Sequence, residues 1–322
     1  MSESVSDAPQ VPRPGAIPAV APEVAAVGLP GGPGPVSAVP GRRRSDFAYY
    51  GLRNKKLVFG LSLELLLVLF AIIGPMIAKY PPREITGFPV QHPGTRFWLG
   101  TDMLGEDLFS QLANGLRESY LVGVLGAGSA ALVGMTLGFI AGWRGGILDE
   151  ALQLLTNIIV MIPSLVLLVV IGSYMSAKSV LFEGVFIGLT TWPWVARAVR
   201  AQTFSLRGRE FVDLAKLSGK RPLSIIVSEI APNMASYLFL VVILLFGSSM
   251  LLAASYDFLG LGPTNVVSLG WTMNQAQANA ALIYHWWWWF IPPGAVLTAM
   301  VAALLVANVG LDEVFNPKLR EQ

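Results

Sequence analysis

Residue types that perform chemistry in enzymes are few in this sequence, and they lie far apart. The 322 residues include no cysteine and only two histidines, His92 and His285, which excludes thiolate sites and histidine clusters. No G-x-x-x-x-G-K-[ST] sequence is present to hold a nucleotide phosphate, and no catalytic triad or carboxylate pair falls on one predicted element. We therefore expect a non-catalytic chain with no cofactor or metal of its own.

The polar residues that stand out are suited to binding. Residues 209–233 form the one long polar-bearing helical segment between strongly apolar runs. Glu210 and Asp213 place negative charge in the first turn of a predicted helix, and Gly219 provides its stop. A second helix is predicted to begin at Pro222 and to end before Pro232. The apolar stripe of the first helix consists of Phe211, Leu214 and Leu217.

Two short helices joined by a tight turn can fit a groove on another protein. The pattern of residues 209–233 predicts such a docking element. An ordinary solvated loop between two membrane helices is the alternative that the residues alone leave open.

The composition is that of an integral membrane protein. Hydrophobic residues make up 54% of the chain, charged residues only 13%, and the mean hydropathy is +0.60. A span of roughly 20 apolar residues crosses a bilayer. Six segments meet this length, and they are residues 57–78, 119–142, 151–173, 180–200, 236–259 and 286–308.

Positive charges predict the orientation of these spans. Most of the 22 Lys and Arg residues fall on one side when the N-terminus is cytoplasmic, as cytoplasmic loops require. Both termini and residues 209–233 are then cytoplasmic. Residues 1–41 are rich in Pro, Gly and Ala and predict a disordered tail, and residues 42–56 form a basic segment that can touch lipid headgroups. A nucleic-acid site is not expected there.

Several residues within or beside the spans invite a specific interpretation. Glu64 is an ionisable group inside the first span, and it is either functional or a carboxylate near the interface that is paired or hydrated. Pro163 and Pro193 interrupt the third and fourth spans, where kinks either line a cavity or reflect routine packing. Glycines of the second span predict close helix contacts, and they are Gly123, Gly126, Gly134 and Gly138.

Two segments outside the spans are also interpreted. Leu104, Leu108 and Leu112 recur at four-residue spacing and predict a short amphipathic helix before the second span. The four tryptophans at 286–289 open the last span, and we expect them to anchor it at the membrane interface.

A family resemblance rests on motifs spread over residues 50–320. The sequence Asp213-Leu214-Ala215, then Gly219, then IAPN at 230–233 resembles the EAA loop of ABC-importer permeases. Three more sequences are similar to the C-type permease of dipeptide, oligopeptide and nickel importers, and they are GTDMLGED at 100–107, FLGLG at 258–262 and NPKL at 316–319. Glu106 stands where these permeases usually have a basic residue.

The resemblance implies a fold and a set of partners. It implies an all-α membrane protein with six transmembrane helices of the type I (MetI-like) permease architecture over residues 57–308, with the coupling loop at 201–233 and a cytoplasmic tail at 309–322. The implied partners are a second, B-type permease, two ABC ATPases that bind ATP and magnesium, and an extracytoplasmic substrate-binding protein. The implied docking residues are Glu210, Phe211, Asp213, Leu214, Ala215, Leu217, Gly219 and Pro232.

The function implied is that of a non-enzymatic permease subunit of an ATP-driven importer in the cytoplasmic membrane, which carries short peptides. Oligosaccharides and nickel chelates remain alternative solutes, and the residues do not identify the substrate pathway. An ion-driven secondary transporter is the alternative from another class, although the deep spans carry little charge apart from Glu64. A structural membrane protein is a third alternative.

Overall fold

The computed structural model describes residues 51–174 and 179–315, and within these ranges the chain is helical with no β-strand. The helices are α1 (Lys55–Ile77), α2 (Leu108–Arg144), α3 (Gly146–Met161), α4 (Ser164–Tyr174), α5 (Val180–Leu206), α6 (Glu210–Leu217), α7 (Pro222–Ile225), a π-helical segment (Ile226–Ile230), α8 (Ala231–Asn233), α9 (Ala235–Phe258), α10 (Leu269–Ala278) and α11 (Trp287–Phe315).

Helix starts follow the capping residues in the sequence. The side chain of Asn54 accepts a hydrogen bond from the Leu57 amide at 3.0 Å, and Asp107 accepts one from the Ser110 amide at 3.3 Å. Ser179 caps α5 in the same way, by accepting from a backbone amide of the first turn. These side chains satisfy amides that have no partner within the helix, so they fix where α1, α2 and α5 begin.

The membrane-spanning elements match the predicted segments. Four helices, α1, α2, α9 and α11, are long and apolar enough to cross a bilayer. The pair α3 and α4 counts as a fifth if it is one broken span, because a bend of 79° separates its halves. Helix α5 coincides with the predicted span at 180–200, but Glu183, Arg197 and Arg200 lower its hydropathy. The chain is thus an all-α membrane protein, and its helices are compatible with six spans.

Helices α2 and α5 pack closely because glycines of α2 face α5, as the sequence predicts. A methyl group at Gly134 would lie 2.8 Å from the Trp192 carbonyl oxygen, and one at Gly138 would lie 2.7 Å from that of Ala196. Such separations are below contact distance, so a larger residue would push the two backbones apart. Gly123 and Gly126 bring α2 equally close to α9.

The short amphipathic helix that was predicted to lead into the second span begins at Leu108, and its inclusion of Leu104 is wrong. Leu108 and Leu112 form the first turns of the continuous helix α2, where both are buried, and Leu104 is 54% exposed in the preceding turn. Asp107 caps the helix directly before Leu108, which explains why Leu104 is excluded from it.

The tryptophans at 286–289, of which the last three open α11, differ in burial. Trp288 and Trp289 are buried in a cluster with Leu108 and Ala276, whereas Trp287 is half-exposed. Two of the four rings are therefore buried within the protein, and the interfacial position expected for the four tryptophans stays a prediction. The two buried rings pack their large apolar surfaces against α2 and α10.

Helix α11 extends beyond the predicted last span. It continues to Phe315, and Glu313 near its end pairs with Lys56 at 2.5 Å and accepts a hydrogen bond from Asn54 at 2.7 Å. The first seven residues of the predicted tail at 309–322 are therefore helical. The NPKL sequence at 316–319 and the Pro-rich segment at 1–41 lie outside the described residues.

Candidate functional site

Between α5 and α9 the chain forms the helix–turn–helix that the sequence predicts. Helix α6 begins after the extended residue Arg209, and its first turn carries Glu210 and Asp213. Gly219 has φ of +73°, a left-handed conformation that glycine adopts without strain, and it ends this helix. Pro222 then opens α7 at a first helical position. The predicted starts and the glycine stop are therefore confirmed.

The second helix differs from its prediction, since Pro232 does not end it. Ile226–Ile230 is π-helical, and the Ala231 amide donates to the Ile226 carbonyl, five residues back. Proline cannot donate a hydrogen bond, and a π-helical turn provides room where the regular ladder stops. The backbone therefore stays helical through Asn233, and α9 follows almost without interruption.

Helix α6 has two faces, and the inner face is the one that sequence reasoning missed. Val212 is fully buried and Ala215 is nearly so, and both pack in a cluster with Ile225, Ile226 and Ile230. Val212 and Ala215 are three residues apart, the spacing of one helix face. This second apolar pattern was present in the sequence. It holds α6 and the second helix against the bundle.

The outer face carries the apolar residues that were predicted to dock. Leu214 is 64% exposed and Leu217 is 84% exposed, while Phe211 is half-buried and packs against the core cluster. The predicted stripe is therefore split, with Phe211 at the edge of the core. Ala215 lies on the buried face, where its small side chain lets α6 approach the bundle.

Further exposed groups surround this outer face. Leu223 is 72% exposed and Val227 is 63% exposed, and both follow Gly219 in the chain. Glu210 and Pro232 are exposed as well. We call the exposed side chains of Leu214, Leu217, Leu223 and Val227 the docking surface. Four large apolar groups are thus exposed within 14 residues of the segment that the sequence predicts to dock.

Ion pairs within the segment neutralise part of its charge. Asp213 pairs with Lys216 at 2.8 Å, and Lys220 pairs with Glu229 at 2.5 Å. Hydrogen bonds from Lys220 and Ser228 hold the pKa of Glu229 below its usual value. These pairs are exposed, so each contributes little to stability and is easily exchanged for a partner's charge.

Arginines join the segment to the transmembrane helices. Arg207 donates to the carbonyl oxygens of Gly142 and Trp143 at 3.3 and 3.0 Å, at the carboxyl end of α2. Arg200 on α5 forms a two-pronged ion pair with Asp149 on α3. Guanidinium groups make such paired contacts with fixed geometry. The segment at 209–233, which we call the docking segment, therefore follows directly from α5, and Arg207 at this junction is hydrogen-bonded to α2. Helix α5 is in turn ion-paired with α3.

A cavity of about 620 Å³ lies beside Pro163 and Pro193, the positions for which the sequence left cavity lining and routine packing as alternatives. Its walls come from α5, α9, α11 and the bend between α3 and α4, and they include Pro163 and Pro193. None of its lining residues is Asp, Glu, Lys or Arg. The hydroxyls of Thr190 and Thr191 donate to the Ile187 carbonyl at 2.8 and 3.0 Å, so the walls are mostly apolar with satisfied polar groups.

Glu64 lies apart from this cavity. It faces Tyr120 in a groove of about 520 Å³ between α1 and α2, and Arg117 also lines that groove. Both carboxylate oxygens are inaccessible to solvent. The alternatives for Glu64, a functional group or a paired carboxylate, both remain predictions.

A tight acidic turn precedes α2. Asp102 accepts hydrogen bonds from the backbone amides of Leu104 and Glu106, each at 2.9 Å. The Gln111 side-chain amide donates to both carboxylates, Asp102 and Glu106, again at 2.9 Å. Burial and the neighbouring Asp102 carboxylate raise the pKa of Glu106 to about 7, although Arg83 opposes the shift.

Comparison with known proteins finds two family models that match this chain. Residues 134–321 match the model for the binding-protein-dependent transport system inner membrane component, and residues 46–94 match the N-terminal transmembrane domain of oligopeptide transport permease C. The first match covers more than half of the chain.

Curated relatives carry related descriptions. The chain is 33% identical over 237 residues to the oligopeptide transport system permease protein OppC of Mycobacterium tuberculosis, with 71% of this chain and 80% of the relative covered. It is 30% identical over 270 residues to OppC of Bacillus subtilis, covering 83% and 87%. It is 27% identical over 297 residues to the dipeptide transport system permease protein DppC of Haemophilus influenzae, covering 89% and 99%.

Proposed function

This chain belongs to the family of binding-protein-dependent transport system inner membrane components, and we propose that it is one of two permease subunits of an ATP-driven importer of dipeptides and oligopeptides. One observation carries the proposal: helix α6 buries Val212 and Ala215 in the bundle while it exposes Leu214 and Leu217. A helix held on one face and apolar on the other is suited to transmit force between two proteins.

The docking surface binds a separate ATPase subunit in this proposal. Leu214 and Leu217 fill an apolar groove on the ATPase, and Glu210 and Asp213 provide charged contacts at its rim. Gly219 permits the turn that presents both short helices, and Pro232 lies at the exposed end of the second. ATP and magnesium bind to the two ATPase subunits, because this chain has no phosphate-binding loop.

Movement of the docking segment reaches the cavity through α5. Only three residues separate α5 from α6, and Arg207 fastens this junction to α2. Closure of the ATPases shifts α6, and α5 with its Pro193 follows as a rigid lever. The cavity then changes from inward-facing to outward-facing.

The cavity suits peptides of varied sequence. Its walls carry no charged side chain, and hydroxyls such as those of Thr190, Thr191 and Ser248 already bond to their own helix. A wall of this kind binds no particular peptide side chain strongly. A second permease completes the pathway, and an extracytoplasmic binding protein supplies the solute and its selectivity.

The orientation follows from the charges. With both termini cytoplasmic, Arg53, Lys55 and Lys56 lie on the inner side of the cytoplasmic membrane, where they can contact anionic lipid. The docking surface then lies on the same side as the ATPases. The acidic turn at 102–107 lies on the opposite side, toward the binding protein.

Uptake by the reconstituted complex tests this function. The chain is co-purified with its partner permease and ATPases, placed in proteoliposomes with the binding protein outside, and supplied with labelled di- and tripeptides. We expect uptake that requires ATP inside and survives collapse of the proton gradient. Uptake that follows the proton gradient without ATP would contradict the proposal, and transport of an oligosaccharide or nickel chelate in place of peptides would contradict the substrate class.

A further inference from the structure

The connection between α2 and α3 lies against the docking segment. Arg207, two residues before that segment, donates a hydrogen bond to the Trp143 carbonyl oxygen at 3.0 Å. Nζ of Lys216 on α6 lies 5.8 Å from the centre of the Trp143 ring, and Lys216 directly precedes Leu217 of the docking surface. We call residues 143–148 the α2–α3 turn. This turn is therefore a direct neighbour of the helix that carries part of the docking surface.

Ile147 in the α2–α3 turn is as exposed as any residue of the docking surface. Its side chain is 85% exposed, and that of Leu217 is 84% exposed. The two glycines at 145–146 have φ of +66° and +62°, so the chain turns sharply just before Ile147. Asp149 faces inward, where its carboxylate is paired with Arg200. Because residues two apart on a helix face different sides, this ion pair fixes Ile147 on the outside.

Charged side chains on both sides of Ile147 distinguish its surroundings from lipid. Arg144 and Glu150 are exposed, and Ile147 lies four residues before the span predicted at 151–173. Charged groups are costly in hydrocarbon, so these two favour a position outside the apolar core of the bilayer. An apolar side chain with charged neighbours is typical of a protein–protein interface, which has an apolar centre and a polar rim.

We propose that the α2–α3 turn is a second contact for the ATPase that binds the docking surface, with Ile147 as its apolar anchor. The inference rests on the proposed function, which supplies this partner. A stable protein–protein interface uses about 20–30 residues on each side. A partner that covers Leu217 therefore extends over the residues that are held beside α6.

The second contact connects the ATPase to another pair of helices. The docking segment follows α5, whereas the α2–α3 turn joins α2 to α3. Helix α3 contributes Val160 to the wall of the 620 Å³ cavity, and α5 contributes Pro193. A movement of the ATPase that acts at both contacts thus displaces two walls of the cavity together.

Thiol protection tests the contact at Ile147. The chain has no cysteine, so Ile147→Cys, Leu217→Cys and Thr264→Cys each give a single thiol. Each full-length variant is placed in nanodiscs with its partner permease, with and without the ATPases. A soluble maleimide labels the thiol, and the labelling rate of this chain is measured. We expect the ATPases to slow labelling at positions 147 and 217 by roughly tenfold and to leave position 264 unchanged.

Substitutions of Ile147 test the same contact without a label. Ile147→Asp should reduce ATPase co-purification several-fold, because a carboxylate is desolvated in an apolar contact. Ile147→Leu keeps an apolar side chain of the same volume and should retain the ATPases. Since Ile147 is 85% exposed, neither substitution should change the thermal midpoint of the chain. Equal recovery of the ATPases with the two variants would overturn the anchoring role.

The labelling outcomes separate this inference from the proposed function. Protection at position 217 without protection at position 147 would overturn the second contact and leave the docking surface in place. A thiol at position 147 that stays unlabelled without the ATPases would also overturn it, because lipid or the partner permease would then cover the turn. Unprotected thiols at both positions would contradict the proposed docking of the ATPase itself.

Discussion

Val212 and Leu214 lie two residues apart on α6 and face opposite sides of it: Val212 is completely buried, and Leu214 is 64% exposed. The buried side chain attaches the helix to the bundle, and the exposed one remains available to a partner. An ordinary solvated loop would not need an apolar residue on both faces. This relationship lets the two roles be separated by mutation.

Leu214→Asp should weaken ATPase docking without unfolding the chain. A charge placed in an apolar groove is desolvated without a partner, which costs several kcal/mol and should lower ATPase co-purification by roughly tenfold or more. The measurement is the ratio of ATPase to permease after affinity purification in mild detergent.

Two variants serve as controls for that substitution. Ile85→Asp changes a residue that is 67% exposed in the loop between α1 and α2, and it should leave the ratio unchanged. Val212→Asp places a charge in the core and should reduce the amount of folded protein. Equal ATPase recovery with Leu214→Asp and with Ile85→Asp would show that the outer face is not the contact.

Gly219→Trp should abolish uptake while the protein stays in the membrane. A Cβ atom at Gly219 would meet no other atom within 4 Å. The cost of a bulky residue there therefore comes from the backbone φ of +73°, and it is about 1–2 kcal/mol. Relief of that strain changes the angle between α6 and α7. Asparagine tolerates the left-handed conformation, so Gly219→Asn should transport nearly normally. Normal uptake by Gly219→Trp would count against a fixed turn.

The ion pair between Asp149 and Arg200 should stabilise the fold through its two-pronged geometry as well as through its charge. Arg200→Met leaves the mostly buried Asp149 carboxylate without its ion-pair partner, so it should lower the free energy of unfolding by about 1–3 kcal/mol. Arg200→Lys keeps the charge but loses the two-pronged contact, so its loss should be intermediate. Thermal unfolding in detergent measures both. Equal stability of Arg200→Met and the parent would contradict a structural role for the pair.

Sequence patterns predicted much of the docking segment. The charged first turn, the stop at Gly219 and the start at Pro222 depend on local preferences, which act within a few residues. The division of α6 into faces depends on tertiary packing against Ile225 and Ile230, which no local preference encodes. The π-helical segment could not be predicted for the same reason.

The long-range features were harder to predict. The kinks at Pro163 and Pro193 could be located in the sequence, but their meeting at one cavity depends on how four walls pack. The burial of Trp288 and Trp289 could not be predicted, because composition does not show that α2 and α10 cover them.

Stability of the acidic turn should fall as the pH rises. The folded protein raises the pKa of Glu106 from 4.5 to about 7, so the folded state binds this proton more tightly than the unfolded state. The resulting stabilisation is complete below about pH 4.5, decreases as the pH rises toward 7, and is absent above that value. The causes are the burial of the Glu106 carboxyl, which disfavours its ionised form, and repulsion between the ionised Glu106 and Asp102.

Glu106→Gln tests this pH dependence. Glutamine lacks the ionisable proton, so the variant should gain thermal stability relative to the parent at pH 8 but not at pH 4.5. Thermal midpoints of both proteins at the two pH values measure the effect. A difference between parent and variant that is the same at both values would show that Glu106 does not titrate in this range.

Site-specific cross-linking tests the docking of α6 most directly. Because the chain has no cysteine, Leu217→Cys places one thiol on the docking surface, and Thr264→Cys places one on the exposed segment between α9 and α10. Each variant is co-expressed with its partner permease and ATPases, treated with a short thiol-to-amine cross-linker, and analysed by mass spectrometry. We expect a cross-link to the ATPase from position 217 and none from position 264. An intact complex with no ATPase cross-link from position 217 would contradict docking through this face of α6.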